Sequence, residues 1–429
     1  MKTLKVALRR PMAAASALVV AVALAGCSVS DTGGGNDEST DGMRTGPGVS
    51  DDEIRIGNLS AWTGPIAVFG EAYVLGVDAY FERVNAEGGI AGRQLVSVVE
   101  DSGYDPQTAL TAYRAIRDDV LAISATMGSP VTDGIRQVSK EDDMLAVIGG
   151  LNTEYAADSN FIIPSETYRV DAVNAVDWYL NEQGGQEGDK IAVLYQDDTY
   201  GRDAHLGIEY AAETYGLDLV AEVSYSTSTQ DFTPQVTQLK RSDPDFVFVT
   251  PLGNQLGPYL TTASSLGFTP LTAGSGTSWS AALKGLPETA FQNYHPVAGI
   301  PIVGIGDDEA SQQMLEDVEA VADGAVAPDM VTGLAYLHAV VLVKILQDAA
   351  ENGDLTREGV LQAAQDLTVV DTGGLTPELD YTPSNDMRVG LRASRVFDVD
   401  FSTDLGIKVS TDYFTRDAAA DDEFENISD

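Results

Sequence analysis

From Ile54 onward, short apolar runs alternate with longer stretches whose apolar residues recur at helical spacing. Ile54-Arg55-Ile56-Gly57-Asn58-Leu59 reads as a strand, and a helix over about 71–86 follows a glycine-bearing loop and stops at Gly88-Gly89. Residues 95–100, 120–125 and 144–148 read as three further strands. Between them Asp105-Pro106 opens a helix, with Asp as N-cap and Pro at the first helical position, and Ser129-Pro130 opens another. The alternation restarts at Lys190. Strands at 191–195, 219–225, 246–250 and 271–273 are separated by helices over 203–215, from about 231, and over 260–266, with Gly216 and Gly267 as stops. A long helix over about 330–351, a shorter one over about 356–366 and β-rich segments over 374–413 complete the pattern.

Strands separated by helices imply right-handed crossovers and parallel sheets. The expected fold class is therefore α/β, with two doubly wound parallel-sheet lobes in succession. Parallel sheets place ligand sites beyond the carboxyl ends of their strands. That rule selects the loops at 60–70, 101–104, 126–129, 149–155, 196–201, 226–230, 251–254 and 274–279. Two lobes with these edges facing each other form one cleft.

The ends of the chain differ in character. Residues 1–10 hold Lys2, Lys5, Arg9 and Arg10 with no acid, and an apolar, alanine-rich run over 12–24 follows. This is the layout of a secretory signal, and the run is shorter than the roughly 20 apolar residues a membrane span needs. It ends in Leu24-Ala25-Gly26-Cys27, which resembles the lipobox of bacterial lipoproteins and implies lipid attachment at Cys27 after removal of residues 1–26. Cys27 is the only cysteine, so no intramolecular disulfide is possible. Residues 27–50, rich in Gly, Ser, Asp and Thr, read as a flexible tether, and 416–429 as a disordered acidic tail. The stretch between is longer than one core usually holds. Asp and Glu number 66 against 25 Lys and Arg, a formal net charge of −41. Such a chain repels nucleic acid and anionic lipid surfaces. The acids are spread along the sequence, which reads as solvation and not as a cation site.

The ordered set of segments resembles the branched-chain amino acid (leucine/isoleucine/valine) type of ABC-transporter substrate-binding protein, with the type I periplasmic-binding-protein fold. The resemblance rests on Ile54-Arg55-Ile56-Gly57 with Thr63-Gly64-Pro65 and Phe69-Gly70, and on Val84-Asn85-Ala86-Glu87-Gly88-Gly89-Ile90-Ala91-Gly92-Arg93. It continues in Glu100-Asp101-Ser102-Gly103-Tyr104-Asp105-Pro106, Tyr195-Gln196-Asp197-Asp198-Thr199-Tyr200-Gly201 and Pro244-Asp245-Phe246-Val247-Phe248. It implies a chain that crosses three times between lobes, with 52–166 and 287–385 in lobe 1 and 167–286 and 386–415 in lobe 2. It also implies capture of a small solute by hinged closure and delivery to an ABC transporter permease. No cofactor is expected, and a monomer held to the extracytoplasmic face of the membrane through Cys27 is.

The site residues follow from the same resemblance. Ser129 begins a helix directly after a strand, where its N–H, hydroxyl and helix dipole suit a carboxylate. It matches the family's carboxylate-binding serine, although any Ser at a helix start also caps. Leu151, Asn152 and Thr153 match the segment that holds an α-amino acid head group. Phe69 matches an aromatic that closes over the ligand, with Trp62 on the same loop, and core packing is the alternative for both. Tyr200 matches the second-lobe tyrosine laid on the ligand at closure.

One departure stands out. The family's glutamate for the ligand ammonium falls, by spacing from Gly267, at Ser275, Gly276 or Thr277, and no acid lies in 273–280. A buried ammonium without a counter-charge costs several kcal/mol. Either Asp101, Asp197, Asp198 or Glu154 reaches in, or the solute has no ammonium there. With Trp279 nearby, the hydroxyl-rich loop suits an amide, a urea-like solute, an aromatic acid or a different amino acid, so the expected solute is a small polar one.

Enzymatic readings find little support. His205, His295 and His338 show no metal-ligand spacing, and no Gly-x-Ser-x-Gly elbow, dinucleotide fingerprint or phosphate loop occurs. A ligand-sensing lipoprotein of the same fold, serving a receptor or sensor kinase, is the alternative to transport, because one fold hosts both tasks.

Overall fold

The computed structural model describes residues 37–38 and 42–420, apart from 307, 323, 325–326, 328 and 383–387. Cys27, the apolar run before it and the end of the acidic tail lie outside the described residues.

In the first lobe, β1 (Glu53–Ser60), β2 (Gln94–Asp101), β3 (Ala122–Thr126), β4 (Ala146–Val147) and β5 (Phe161–Ile162) form one parallel sheet in the order β2-β1-β3-β4-β5. Helices α1 (Gly70–Ala86), α2 (Pro106–Ile116) and α3 (Ser129–Glu141) make the crossovers. Asp105 caps α2 as its sequence predicts, accepting from the N–H groups of Gln107 and Thr108, with Pro106 at the first position. All five residues of β3 are buried, the mark of a central strand covered on both faces.

The second lobe runs through α4 (Tyr168–Glu182), β6 (Lys190–Gln196), α5 (Thr199–Tyr215), β7 (Asp218–Tyr225), α6 (Thr233–Ser242), β8 (Phe246–Val249), α7 (Leu256–Ser265), β9 (Leu271–Ser275) and β10 (Tyr294–Ala298). The chain then returns to the first lobe for α8 (Glu309–Ala322), α9 (Met330–Glu351) and α10 (Arg357–Asp366). It ends with β11 (Arg395–Val399) and β12 (Ile407–Val409) on the second sheet, whose order is β12-β11-β10-β9-β8-β6-β7. β6 to β10 are mutually parallel, and β11 and β12 are antiparallel.

Strand 294–298 sets the second lobe boundary after Ala298, not at 287, because β10 pairs with β9 from Thr272↔Tyr294 to Ser275↔Val297. Pro296 hides this strand in the sequence. It is tolerated because the antiparallel ladder to β11 starts only at Val297, so the missing N–H faces no partner there. The third crossing lies after Val389, which bridges Ile163 of the first lobe, and before Arg395.

Two further expectations change. The stretch read as tether is bound from Arg44 onward. Arg44–Thr45 pairs in parallel with Asp354–Leu355, and the Arg44 guanidinium meets the carboxylates of Asp354 and Glu358. At the other end, 417–420 forms a helical turn with Ala418 and Ala419 buried, so the tail is ordered that far.

Helix α9 is long and apolar enough to cross a membrane, yet 89% of its most apolar window is buried inside the fold, so it is a core helix. Glycines let it pack at backbone distance. A Cβ on Gly76 of α1 would lie 2.2 Å from the Thr332 carbonyl oxygen, and one on Gly333 would lie 1.9 Å from that of Pro301. Gly333→Ala is therefore expected to destabilise the protein by about 1–3 kcal/mol through overpacking, read as a lower denaturant midpoint.

Candidate functional site

The carboxyl ends of both sheets stand level and face one cleft. In the first lobe the register aligns Ser60 with Asp101 and Leu59 with Thr126. In the second it aligns Gln196 with Tyr225, and Val249 with Leu194 and Gly274. The lobes touch across this cleft. Thr199 Oγ1 donates to Asp133 Oδ2 (2.7 Å), Asn152 Nδ2 to the Thr199 carbonyl (2.6 Å), and Gln196 Nε2 to the Tyr104 hydroxyl (3.3 Å). A Cβ on Gly253 of the second lobe would lie 3.1 Å from the Pro65 carbonyl oxygen of the first.

Between these contacts is a cavity of about 40 Å³. Its wall is formed by Ile66, Phe69, Tyr73, Tyr104, Met127, Gly128, Gly149, Tyr168, Leu252, Thr277, Val331 and Leu334, and none of these is charged. Among the described residues, the side-chain oxygens and nitrogens on this wall are all hydroxyls. Tyr73 donates its hydroxyl hydrogen to the Thr126 carbonyl (3.1 Å) and stands 3.2 Å from His338 Nδ1. Burial pushes the His338 imidazole down to about 3, so it is neutral, and its Nδ1 carries the hydrogen toward the Tyr73 oxygen. This lobe-1 wall is thus uncharged at neutral pH.

Helix α3 begins at this wall. Its N-cap is Gly128, with φ of 93°, and a Cβ there would lie 2.5 Å from the Tyr104 ring. Ser129 is the first helical residue, the cap position falls on Gly128, and the serine hydroxyl is turned to Asn152 instead of the helix amides. Its Oγ donates to Asn152 Oδ1 (2.6 Å), and Asn152 Nδ2 is the group that meets Thr199 across the cleft. The first-turn amides of α3 have no intrahelical acceptor, and the helix dipole favours an anion beside Gly128 and Ser129.

The predicted residues divide in three. Phe69 lines the cavity. Ser129, Leu151, Asn152, Thr153, Tyr200, Ser275 and Gly276 are buried around it without forming its wall. The Leu151 carbonyl accepts from Tyr168 N–H (3.0 Å), and Thr153 is held by Asp203 through its N–H and hydroxyl, both at 3.2 Å. The Tyr200 ring packs edge-on to Tyr168 at 4.4 Å. Ser278, Ser275 and Thr277 surround the Tyr200 hydroxyl, which makes no hydrogen bond of normal geometry. Ser275 Oγ pairs with Thr277 Oγ1 (3.0 Å), and Gly276 packs on Ala298. Trp62 is 44% exposed at the rim, its N–H fixed by Asp101. Trp279 turns away into the second-lobe core, where its indole N–H donates to the Leu405 carbonyl (2.8 Å) and its ring packs on Phe291.

Each acid considered for an ammonium has other partners. Burial works against the charge of Asp101, but bonds from Thr63, Gly103 and Trp62 outweigh it and hold the carboxyl below its usual range. Asp197 pairs with Arg202 at 2.8 Å, and Glu154 with Arg136 at 3.1 Å. Asp198 caps α5 through Gly201 N–H and accepts from Gln196 Nε2, and burial pushes its carboxyl up. The loop rule finds Ile66, Tyr104, Met127, Gly128, Gly149, Leu252 and Thr277. It does not reach Tyr73, Tyr168, Val331 and Leu334, which stand on helices.

Comparison with known proteins places this architecture. A fatty acid ABC transporter substrate-binding protein from Thermomonospora curvata superposes with a TM-score of 0.83 and 28% identity, over 89% of this chain and 97% of that one. A branched chain amino acid ABC transporter protein from Thermus thermophilus with bound valine shares the fold at a TM-score of 0.72 and 16% identity, over 86% and 98%. The Leu/Ile/Val/Thr-binding protein of Salmonella typhimurium is 23% identical over 220 residues, which is 50% of this chain and 60% of its own length. The match thus spans less than two thirds of that relative. The two lobes form the type I periplasmic-binding-protein fold. The profile of the periplasmic binding protein family matches residues 53–401, and the chain belongs to that family.

Proposed function

We propose that this chain is an extracytoplasmic solute-binding lipoprotein, a monomer anchored through Cys27, that closes on a small carboxylic acid with an apolar body and delivers it to an ABC transporter permease. The observation that carries the reading is the cavity wall. It is aromatic and aliphatic, borders the N-terminus of α3 and has no charged side chain. A carboxylate is favoured at the helix start, and an apolar chain gains by leaving water for such a wall. An ammonium finds no carboxylate on that wall, since Asp101, Asp197, Asp198 and Glu154 are engaged elsewhere. The wall shifts the expected solute from a polar one to an apolar acid. The name of the Thermomonospora curvata relative, a fatty acid binder, points the same way. By volume, the closed cavity holds a few water-sized groups, which favours short chains.

The test compares leucine with 4-methylpentanoate, which is leucine without its ammonium. Calorimetric titration is expected to show binding of 4-methylpentanoate and affinity for leucine weaker by more than about 100-fold, the equivalent of leaving an ammonium buried and unpaired. Equal or tighter binding of leucine would sink the apolar-acid reading. A ladder of unbranched acids from butyrate to decanoate sets the length the cleft accepts.

A further inference from the structure

The chain passes between the lobes three times, and one side chain meets all three passages. Glu166 stands on the first and is fully buried. Its carboxyl is held by backbone N–H groups of Gly299 and Ile300 on the second. A Cβ on Gly299 would lie 2.5 Å from Glu166 Oε2 and 2.3 Å from the carbonyl oxygen of Ala393, which is on the third. The three backbones are thus packed around this carboxyl with no room for a side chain at 299. A second buried carboxyl, Asp171 in the first turn of α4, accepts from Ser394 Oγ on the third passage (2.9 Å). Asn174, one turn further, donates to Ser394 Oγ (3.0 Å) and to the Arg392 carbonyl (3.2 Å).

The charges facing this cluster do not balance it. Arg395 of β11 attracts Glu166, but its Nη2 lies on the Ile300 carbonyl (3.4 Å) and its guanidinium stacks 4.2 Å above the Tyr413 ring. Tyr413 gives its hydroxyl hydrogen to Gly299 or Leu375 carbonyls, with Asp308 beyond it adding negative charge. Arg392 meets the cluster through its carbonyl, and Asp177, further along α4, serves the Tyr215 hydroxyl. Among the described residues Arg395 is the guanidinium that acts on Glu166, and burial is the larger effect on both carboxyls. Two buried acceptors, Glu166 Oε2 and Asn174 Oδ1, have no donor. A proton kept by the carboxyl pair supplies a donor and removes one of the two negative charges.

We propose that the Glu166–Asp171 pair is a proton-holding joint at the root of the lobes, and that the closed form keeps a proton there which the open form releases, so closure takes up a proton. Rotation that parts the three passages admits water to the pair and returns it toward the ordinary carboxylate range. In the closed form burial pushes the Glu166 carboxyl up to about 8, against its backbone N–H partners and Arg395. Burial also raises Asp171, and the charge of Glu166 raises it further. A proton bound more tightly in the closed form favours closure. Closure therefore weakens as pH rises toward 8 and levels off above it.

The test needs no solute, so its outcome is independent of which acid binds. The full chain carrying Cys27→Ser receives spin labels at Val68→Cys and Asn254→Cys, exposed positions on facing rims of the two lobes. Distances between the labels are measured from about pH 5.5 to about pH 9. The ratio of short to long distances is expected to fall with rising pH by up to about tenfold per unit below pH 8. The double variant Glu166→Gln with Asp171→Asn, neutral at every pH and close in shape, is expected to hold the ratio constant. Each single variant leaves the other buried carboxyl in place and is expected to reduce the response without abolishing it, and the single variants stand in if the double variant fails to fold. A ratio independent of pH in the unmodified joint overturns the proposal. So does a response undiminished in these variants, which assigns the proton to cleft acids such as Asp198 and Glu154.

Discussion

Asp203→Ala is expected to lower the unfolding free energy by about 3–5 kcal/mol, the usual result of removing one member of a buried ion pair. Asp203 and Arg169 are 3% and 4% exposed, and Arg169 Nη2 lies 3.1 Å from Asp203 Oδ1. The other carboxylate oxygen accepts from Thr153 N–H, Thr153 Oγ1 and Arg169 N–H. Truncation leaves a guanidinium and these donors inside the protein without their acceptor. The loss is large against a total stability of about 5–15 kcal/mol. The pair itself is worth far less. Burial raises the Asp203 carboxyl despite the opposing pull of Arg169 and the backbone of Thr153 and Arg169, so the charged form is held less firmly here than in water. Hence the double variant Asp203→Leu with Arg169→Met is expected to be more stable than Asp203→Ala by at least about 2 kcal/mol, because it removes both charges. It remains below the natural protein, since Thr153 N–H still lacks an acceptor, at a cost of about 1–3 kcal/mol. Urea midpoints of the solute-free proteins measure the cycle. A double variant no more stable than Asp203→Ala would show that the pair stabilises the fold in its own right.

The same physics explains what the sequence revealed and what it hid. Strands such as Phe246–Val249 and the helix Met330–Glu351 are legible because their composition and punctuation agree with their place in the fold. Helix Tyr168–Glu182 escapes notice because its first twelve residues, to Tyr179, are all buried, so no apolar stripe marks its period. Among those residues are Arg169 and Asp171, charged groups that look solvent-facing in sequence and instead make the buried pair and the joint. Helix Glu309–Ala322 has an ordinary apolar face but lacks the strong punctuation that marks the ends of the others in the sequence. The carboxyl-end rule located the cleft because it depends only on topology. It could not rank residues, since Trp62 and Phe69 share a loop and only the packing of α1 sends one to the rim and the other to the wall. Tyr73 and Tyr168 belong to helices and read as core positions until the sheets are set in space.

Ser129→Ala provides the sharpest test of how the cleft holds its solute. The serine hydroxyl donates to Asn152 Oδ1 beside the Tyr168 hydroxyl, and Asn152 in turn reaches Thr199 in the second lobe, so this hydroxyl links the start of α3 to the contact that closes the lobes. A carboxylate seated at that helix start competes with Asn152 for the hydroxyl hydrogen and gains a charge-assisted bond of about 1.5–3 kcal/mol. Affinity for 4-methylpentanoate is therefore expected to fall by roughly 10–150-fold in the variant. The neutral analogue 4-methylpentanamide offers no charge to that bond, so its affinity is expected to fall by the smaller factor of about 2–13 that an ordinary hydrogen bond carries. The solute-free protein also loses some stability, because Asn152 Oδ1 is left in the interior without its donor. That loss is common to both titrations and cancels in their comparison. Equal losses for acid and amide would mean that Ser129 supports Asn152 and the closed lobes, and that the carboxylate is held elsewhere on the wall.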